Sequence, residues 1–556
     1  AAARGIWDQL RSLREDPMEP LEMERVRQIF AAGWVRRFES MENQANHLAG
    51  WEALGGWKLG DAYYERFMSV TSDDVRAVAQ RYLTPDRAGL VIYRPESMSP
   101  IAASAEEMQA LLASEAVEPL EPLMKREHEL VERVVSTPEL QMVEGAVNVY
   151  RSVDGMDILV HPRPSAAIAH IAVHAIGGVR EESAETSGFT TLAMRTTLKG
   201  TSTRTAAQIA EDAEMLGGSI GVSVGAEGFG WSISVPVQHV KAAVELLSDV
   251  IYNPAIPEAA LETERALALA GLASLRDDMF RYPMRLVMSA AYGDHPYSRS
   301  PLGTEESLKN AGVEDIRQWY RARLLASPLV VGIVGDVVPE DAATIVAEFM
   351  GSAQSAKVDD MEAPGWPVSE VMRVEEREKA QTALAIAFQG PSRNDDRRFA
   401  AQLVATIASG LGGRFFDELR DRQSLAYTVH AYTSERQHAG MFLSYIATSP
   451  EKEAIARAGL LAEFQRLRDE PVTDQELARS QEYSVGSNAI RQESGGVVLG
   501  EMLDAWMYGS GLGEIAEYES RIRGVTREDI LAIAREFFDP STRVEGVVRG
   551  IGGRSV

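Results

Sequence analysis

Apolar and polar positions change period in blocks along this chain. Residues 147–153 and 156–161 alternate with period two about Asp154-Gly155, a dipeptide that favours a tight hairpin turn. Residues 167–176 form a continuous apolar run ended by Gly177-Gly178, which predicts a buried strand. Residues 186–198 and 205–216 shift to helical spacing. A second hairpin follows at 219–226 and 230–235, then helices at 239–251 and 257–278, and a closing strand at 329–334. Residues 370–556 return to the same layout, with strands at 439–448 and helices beyond. Because strands and helices come in blocks, the pattern predicts α+β domains, each an antiparallel sheet packed with helices, rather than a doubly wound sheet.

The chain also repeats itself. Leu10, Leu13, Arg14 and Pro17 match Phe464, Leu467, Arg468 and Pro471. Val70, Thr71, Asp74 and Val75 match Val525, Thr526, Asp529 and Ile530, and Arg81 to Pro85 match Glu536 to Pro540. Thr71 and Thr526 are each followed three residues later by an aspartate, the mark of a capped helix start. An apolar strand is expected after each helix, at 89–93 and at 544–548. The second copy is preceded by residues 370–460, which complete its domain, whereas the first copy has no counterpart to them. The expectation is a truncated domain at 1–96, whose other half lies upstream or on another polypeptide. A helical hinge linker at 97–143, a full domain at 144–352, a linker at 353–369 and a last domain at 370–556 complete the reading.

Composition narrows the function. The 45% hydrophobic and 25% charged content fits an ordinary globular protein, and the net charge of −26 argues against nucleic acid or anionic membrane as partner. Cysteine is absent, so disulfides and thiolate metal sites are excluded and the compartment stays open. No apolar run approaches the roughly 18 residues of a membrane span. His170 and His174 share one face of a predicted strand without an acid between them and read as structural. The glycines within 410–413 and 495–500 carry no phosphate-loop Lys-Ser/Thr and read as turn glycines. Residues 411–427 hold a cation, Arg420, and a phenol, Tyr427, seven positions apart across a helix-to-strand turn. Both donate hydrogen bonds and are suited to a peptide carbonyl or an oxyanion.

With these elements in place, the chain resembles the inverted-zincin peptidases, the family of pitrilysin, insulysin and the mitochondrial processing peptidases. Residues 188–201 match the family signature Gly-x-x-His-x-x-Glu-His-x-x-x-Lys-Gly-Thr in frame. Asn253-Pro254, His295-Pro296-Tyr297 and Leu302-Gly303-Thr304 support the match, and Arg420 and Tyr427 fall on the family's arginine and tyrosine. In that family two histidines four residues apart bind zinc, with the glutamate beside the second as general base. Here those positions hold Thr191, Arg195 and Met194, and the third ligand falls near Gly271. None of these side chains serves as a zinc ligand or takes up a proton.

The resemblance implies a chain of processing-peptidase-like domains arranged as two halves of a clamshell. This chain is then the non-zinc portion of a zinc endopeptidase, with a catalytically silent domain at 144–352. Zinc would be held by an N-terminal half or subunit, peptides or unfolded proteins would be the substrates, and Arg420 and Tyr427 would bind the substrate or its oxyanion. The chain alone is expected to be inactive. Alternatives are a non-catalytic peptide-binding or scaffolding member, or a subunit that activates a zinc-bearing partner. Many bacterial members of the family are periplasmic, which the lack of cysteine permits, and a cytoplasmic location is also compatible.

Overall fold

The computed structural model describes residues 2–93, 101–102, 104–113, 136–164, 167–350, 361–410, 412–426, 428–509 and 511–552. The chain divides into two compact units, residues 1–132 with 211–218, and residues 133–210 with 219–556.

In the first unit, helices Pro20–Arg36, Met41–Ala53 and Leu59–Met68 carry an aromatic cluster in which Phe30 stacks on Phe67 at 3.7 Å and Trp34 meets His47 edge-on at 4.9 Å, and helix Ser72–Tyr82 follows. The repeat is visible in its bonds. Thr71 and Asp74 form a capping box on the first copy, and Thr526 and Asp529 form one on the second. Gln80 donates to the Arg14 carbonyl at 2.9 Å, and its counterpart Arg535 donates to the Arg468 carbonyl at 3.2 Å. The copies differ downstream. Residues 89–93 are not a strand, and Val91 and Tyr93 are fully exposed, at 97% and 102%. The equivalent second-copy segment is a central strand.

The second unit contains two sheets. Strands β1 (Glu139–Glu144), β2 (Val147–Arg151), β3 (Asp157–Pro162), β4 (Ile168–Ile176), β5 (Ile220–Val224), β6 (Gly228–Pro236) and β7 (Leu329–Gly335) pair in the order β1-β2-β3-β7-β4-β6-β5. Strands β8 (Val371–Arg377), β9 (Thr382–Gly390), β10 (Val429–Glu435), β11 (Gly440–Thr448) and β12 (Val544–Gly550) pair in the order β10-β11-β9-β12-β8. The α+β class stands, but the sheets are mixed rather than purely antiparallel. The pairs β3–β7 and β12–β8 are parallel, because the second member of each returns to the sheet after long helical excursions. Residues 139–144, read as the end of the linker, form β1. Residues 114–135 of the predicted helical linker lie outside the described residues.

Both faces of each sheet are buried, and in the second sheet β9 divides large from small side chains. In β9, Leu384, Ile386 and Phe388 join the helices that follow them, while Ala385 and Ala387 face the opposite way. That second face is covered by helix Arg281–Tyr292, which belongs in sequence to the first sheet. Reciprocally, helix Gly495–Tyr508 from the C-terminal part packs Val498, Leu499, Met502 and Leu503 on Ala172, Leu159 and Val334 of the first sheet. Glycines set the approach. A Cβ on Gly332 in β7 would lie 2.6 Å from Leu499 Cδ1, and one on Gly546 in β12 would lie 2.2 Å from the Pro283 carbonyl oxygen. The glycines at 495, 496 and 500 are therefore helical, not turn residues, and Gly496 lies beside His170. His170 bonds to Ser234 Oγ at 2.8 Å, and burial pushes His174 below the usual histidine range, in keeping with structural roles.

Gly546→Ala should destabilise the protein by about 1–3 kcal/mol, because the new methyl meets fixed backbone. Gly332→Ala should cost less, since leucine methyls can rotate away. Thermal unfolding of the two variants checks this order, and a larger loss for Gly332→Ala would contradict the interlock described.

Candidate functional site

The segment carrying Arg420 is anchored from behind. Phe415 and Leu419 are fully buried, and Leu425 is nearly so. Arg414 makes two bonds to Glu476, 2.7 Å from Nε and 3.1 Å from Nη2. Burial acts to raise the Glu476 pKa, but Arg414 and the Thr473 amide and hydroxyl outweigh it and hold the carboxyl at about 2. Residues Phe416–Arg422 form a π-helical turn, closed where Gln423 N donates to the Glu418 carbonyl at 3.1 Å. Ser424 then takes the left-handed conformation, φ 48°, and Leu425 N returns to the Leu419 carbonyl at 2.9 Å.

This frame presents Arg420 on its outer side. Its guanidinium lies 4.0 Å from the Phe416 ring centroid, and its Nε is 4.0 Å from Asp421 Oδ1. The neighbouring Arg422 is instead held by Asp417 at 3.0 Å and Glu418 at 3.1 Å. A cation stacked on an aromatic face keeps its charge while its orientation is restricted, as suits a group that polarises a carbonyl. Tyr427 lies outside the described residues.

The other predicted positions converge on the seam between helices Phe189–Thr197 and Glu258–Asp277. Thr191 Oγ1 donates to the Pro301 carbonyl, and Gly271 lies against Leu302, so both border the same loop. Met194 is fully buried. Arg195 Nη1 lies 4.0 Å and Lys199 Nζ 3.0 Å from the carboxylate of buried Glu264. A seam of threonine, methionine, arginine and glycine has no donor set for zinc, and its one carboxylate is engaged by two cations. No group of three histidine, cysteine or acidic side chains among the described residues could hold a metal ion.

Two residues here escaped the sequence reading. Glu264 stands seven positions before Gly271, two turns along the same helix face, and that spacing was its only signal. Glu182 has no local signal. It is 2% exposed and accepts bonds from Gly188 N and Thr190 N, both at 2.9 Å, so it caps the helix that carries Thr191 and Arg195. Burial pushes its pKa up to about 7 against the opposing pull of those two amides.

The chain has similar counterparts among known proteins. Residues 158–305 match the family described as insulinase (peptidase family M16), and residues 310–483 match the peptidase M16 inactive domain. A Bacillus subtilis protein named uncharacterized zinc protease YmxG is 24% identical over 62% of this chain and 84% of its own. A Streptomyces coelicolor protein also named a zinc protease is 25% identical over 71% of this chain and 88% of its own. Among solved structures, a peptidase M16 inactive domain from Pseudomonas fluorescens superposes with TM-score 0.69 at 20% identity, covering 74% of this chain and all of that one (100%). A protease from Helicobacter pylori gives TM-score 0.65 at 17% identity, covering 72% and 99%.

Glu182 also yields a pH dependence. Its folded pKa of about 7 exceeds the ordinary value of 4.5, so its contribution is fully present below pH 4.5 and is lost as pH rises through 7. Stability measured by urea unfolding should therefore fall between pH 5 and pH 8 by up to about 3 kcal/mol from this group. In Glu182→Gln that slope should flatten, whatever the variant's absolute stability. An unchanged slope would show that Glu182 does not titrate there.

Proposed function

The chain belongs to the insulinase (M16) family of peptidases, and from that premise we propose that it is the non-zinc portion of a zinc-dependent endopeptidase. Zinc comes from a part or partner carrying an intact His-x-x-Glu-His helix. Arg420 and Tyr427 bind the scissile carbonyl and its oxyanion, while residues 144–352 act as a silent structural counterpart. The observation that carries this reading is the pairing, in one chain, of a seam unfit for metal with a rigidly backed cation. The repeat supports it as well, since residues 89–93 have no strand neighbours among the described residues, whereas β12 pairs on both sides. On this reading residues 1–96 complete a domain contributed mainly by the zinc-bearing part, 97–143 and 353–369 are connections, and 370–556 is the domain of the arginine–tyrosine pair.

Chemically, the zinc-bearing part supplies the Lewis acid and the activated water. This chain orients an extended peptide, along exposed strand edges, and stabilises developing negative charge. The alternative of a non-catalytic peptide-binding or scaffolding member draws on the Arg195–Glu264–Lys199 cluster, which ties the two helices together without metal.

Peptide hydrolysis by this chain alone should be undetectable and should appear on addition of the zinc-bearing part, then vanish with chelator. In the active assembly, Arg420→Ala should lower kcat by roughly a hundredfold or more, the usual loss for one oxyanion donor, with a smaller change in KM. Chelator-resistant hydrolysis by the isolated chain would refute the proposal. Full activity of the Arg420→Ala, Tyr427→Phe double variant would refute the role of the pair.

A further inference from the structure

Away from Arg420, helices Glu258–Asp277 and Arg281–Tyr292, the 300–305 loop and β8 border a cleft of about 930 Å³. Leu269, Leu272 and Leu286 supply apolar wall, and Arg276, Arg285, Lys309 and Arg377 supply positive charge. Two of these cations pair with carboxylates that also line the cleft. Arg377 lies 4.4 Å above the Tyr282 ring and pairs with Glu375, and Lys309 pairs with Glu305 at 2.6 Å. Arg285 is different. Its Nη1 donates to the Ser298 carbonyl at 2.7 Å, and among the described residues no carboxylate is within ion-pair reach. The group is half-buried, and burial draws its pKa below the usual arginine value. A partly desolvated guanidinium answered only by a neutral carbonyl gains more from an anion than an exposed one does.

The cleft adjoins an open sheet edge. Among the described residues β8 pairs with β12 alone, through Val371 N to the Arg543 carbonyl and Ile551 N to the Arg377 carbonyl. In a parallel ladder alternate residues turn their backbone groups to the partner, so Met372, Val374 and Glu376 turn theirs to the open side. The side chains of Glu375 and Arg377 reach Tyr282, so that face of β8 looks into the cleft. A strand laid on this edge would send alternate side chains to the same face.

We propose that this cleft binds an extended peptide bearing an acidic side chain, with its backbone added to β8 and its carboxylate on Arg285. The peptide nature of the ligand rests on the peptidase reading above, whereas the cation and the open edge do not. A chain of net charge −26 repels acidic peptides as a whole, so a preference for them would report a local site.

Fluorescence anisotropy with the full chain tests this. The probes are a labelled peptide of about six residues alternating valine and glutamate, and the same peptide with glutamine. The glutamate peptide should bind at least about tenfold tighter, and its advantage should shrink as salt rises. Arg285→Gln should abolish the difference, and Val374→Pro should weaken both peptides by removing an outward amide. Should Arg285→Gln fail to fold, Arg285→Lys keeps the charge without the fork and should weaken the glutamate peptide several-fold. Equal affinity for the two peptides, or a preference untouched by the Arg285 substitution, would overturn the proposal. Binding needs neither zinc nor hydrolysis. An inactive completed assembly with intact acidic-peptide binding therefore counts against the catalytic reading alone.

Discussion

The exchange of two helices between two sheets is the constraint on which the second unit depends. Each sheet has one face on which small residues, Ala172 and Gly332 in the first and Ala385, Ala387 and Gly546 in the second, let a helix from the other half of the unit come close. Small residues bring backbone near backbone, so the interface gains van der Waals contact and tolerates little added volume. The hairpin ends are then held by polar bonds. Tyr297 donates to Glu227, Gln437 N donates to the same carboxylate at 3.1 Å, and Arg436 lies 4.5 Å above the Tyr297 ring. These buried partners satisfy one another across the junction, which fixes how the two sheets meet.

Within this frame, the seam between helices Phe189–Thr197 and Glu258–Asp277 is held by charge. Arg195 on the first helix and Lys199 just beyond its end face the buried Glu264 carboxylate on the second. The helix N-terminus is likewise finished by a buried carboxyl, Glu182.

Much of this was legible in the sequence, for physical reasons that differ by element. The hairpin of β2 and β3 was readable from period-two alternation about Asp154-Gly155, a purely local pattern. The capped helices after Thr71 and Thr526 are local events, readable from four residues. The strand β1 was missed because it is an edge with mostly exposed side chains and carries no apolar alternation. Residues 89–93 show the opposite error, since their local pattern matches β12 but a strand exists only where neighbours pair with it. The glycines at 495–500 start a helix because the first sheet packs on it, a fact of the fold and not of the segment. Of the site, Thr191, Met194, Arg195 and Gly271 were visible as departures from a motif. Glu182 and Arg285 matter through residues distant in sequence or through partners they lack, which no spacing announces.

The exchange of helices also orders events during synthesis. The last strand of the first sheet, β7, ends at Gly335, but the helix that covers one face of that sheet begins only at Gly495. Throughout translation of the intervening chain, the face around Ala172 and Gly332 has no native cover. A polypeptide emerging from the ribosome must therefore carry an unclosed apolar surface past the completion of its own sheet. The closing step joins both halves of the second unit at once, and neither half reaches its finished form before the other.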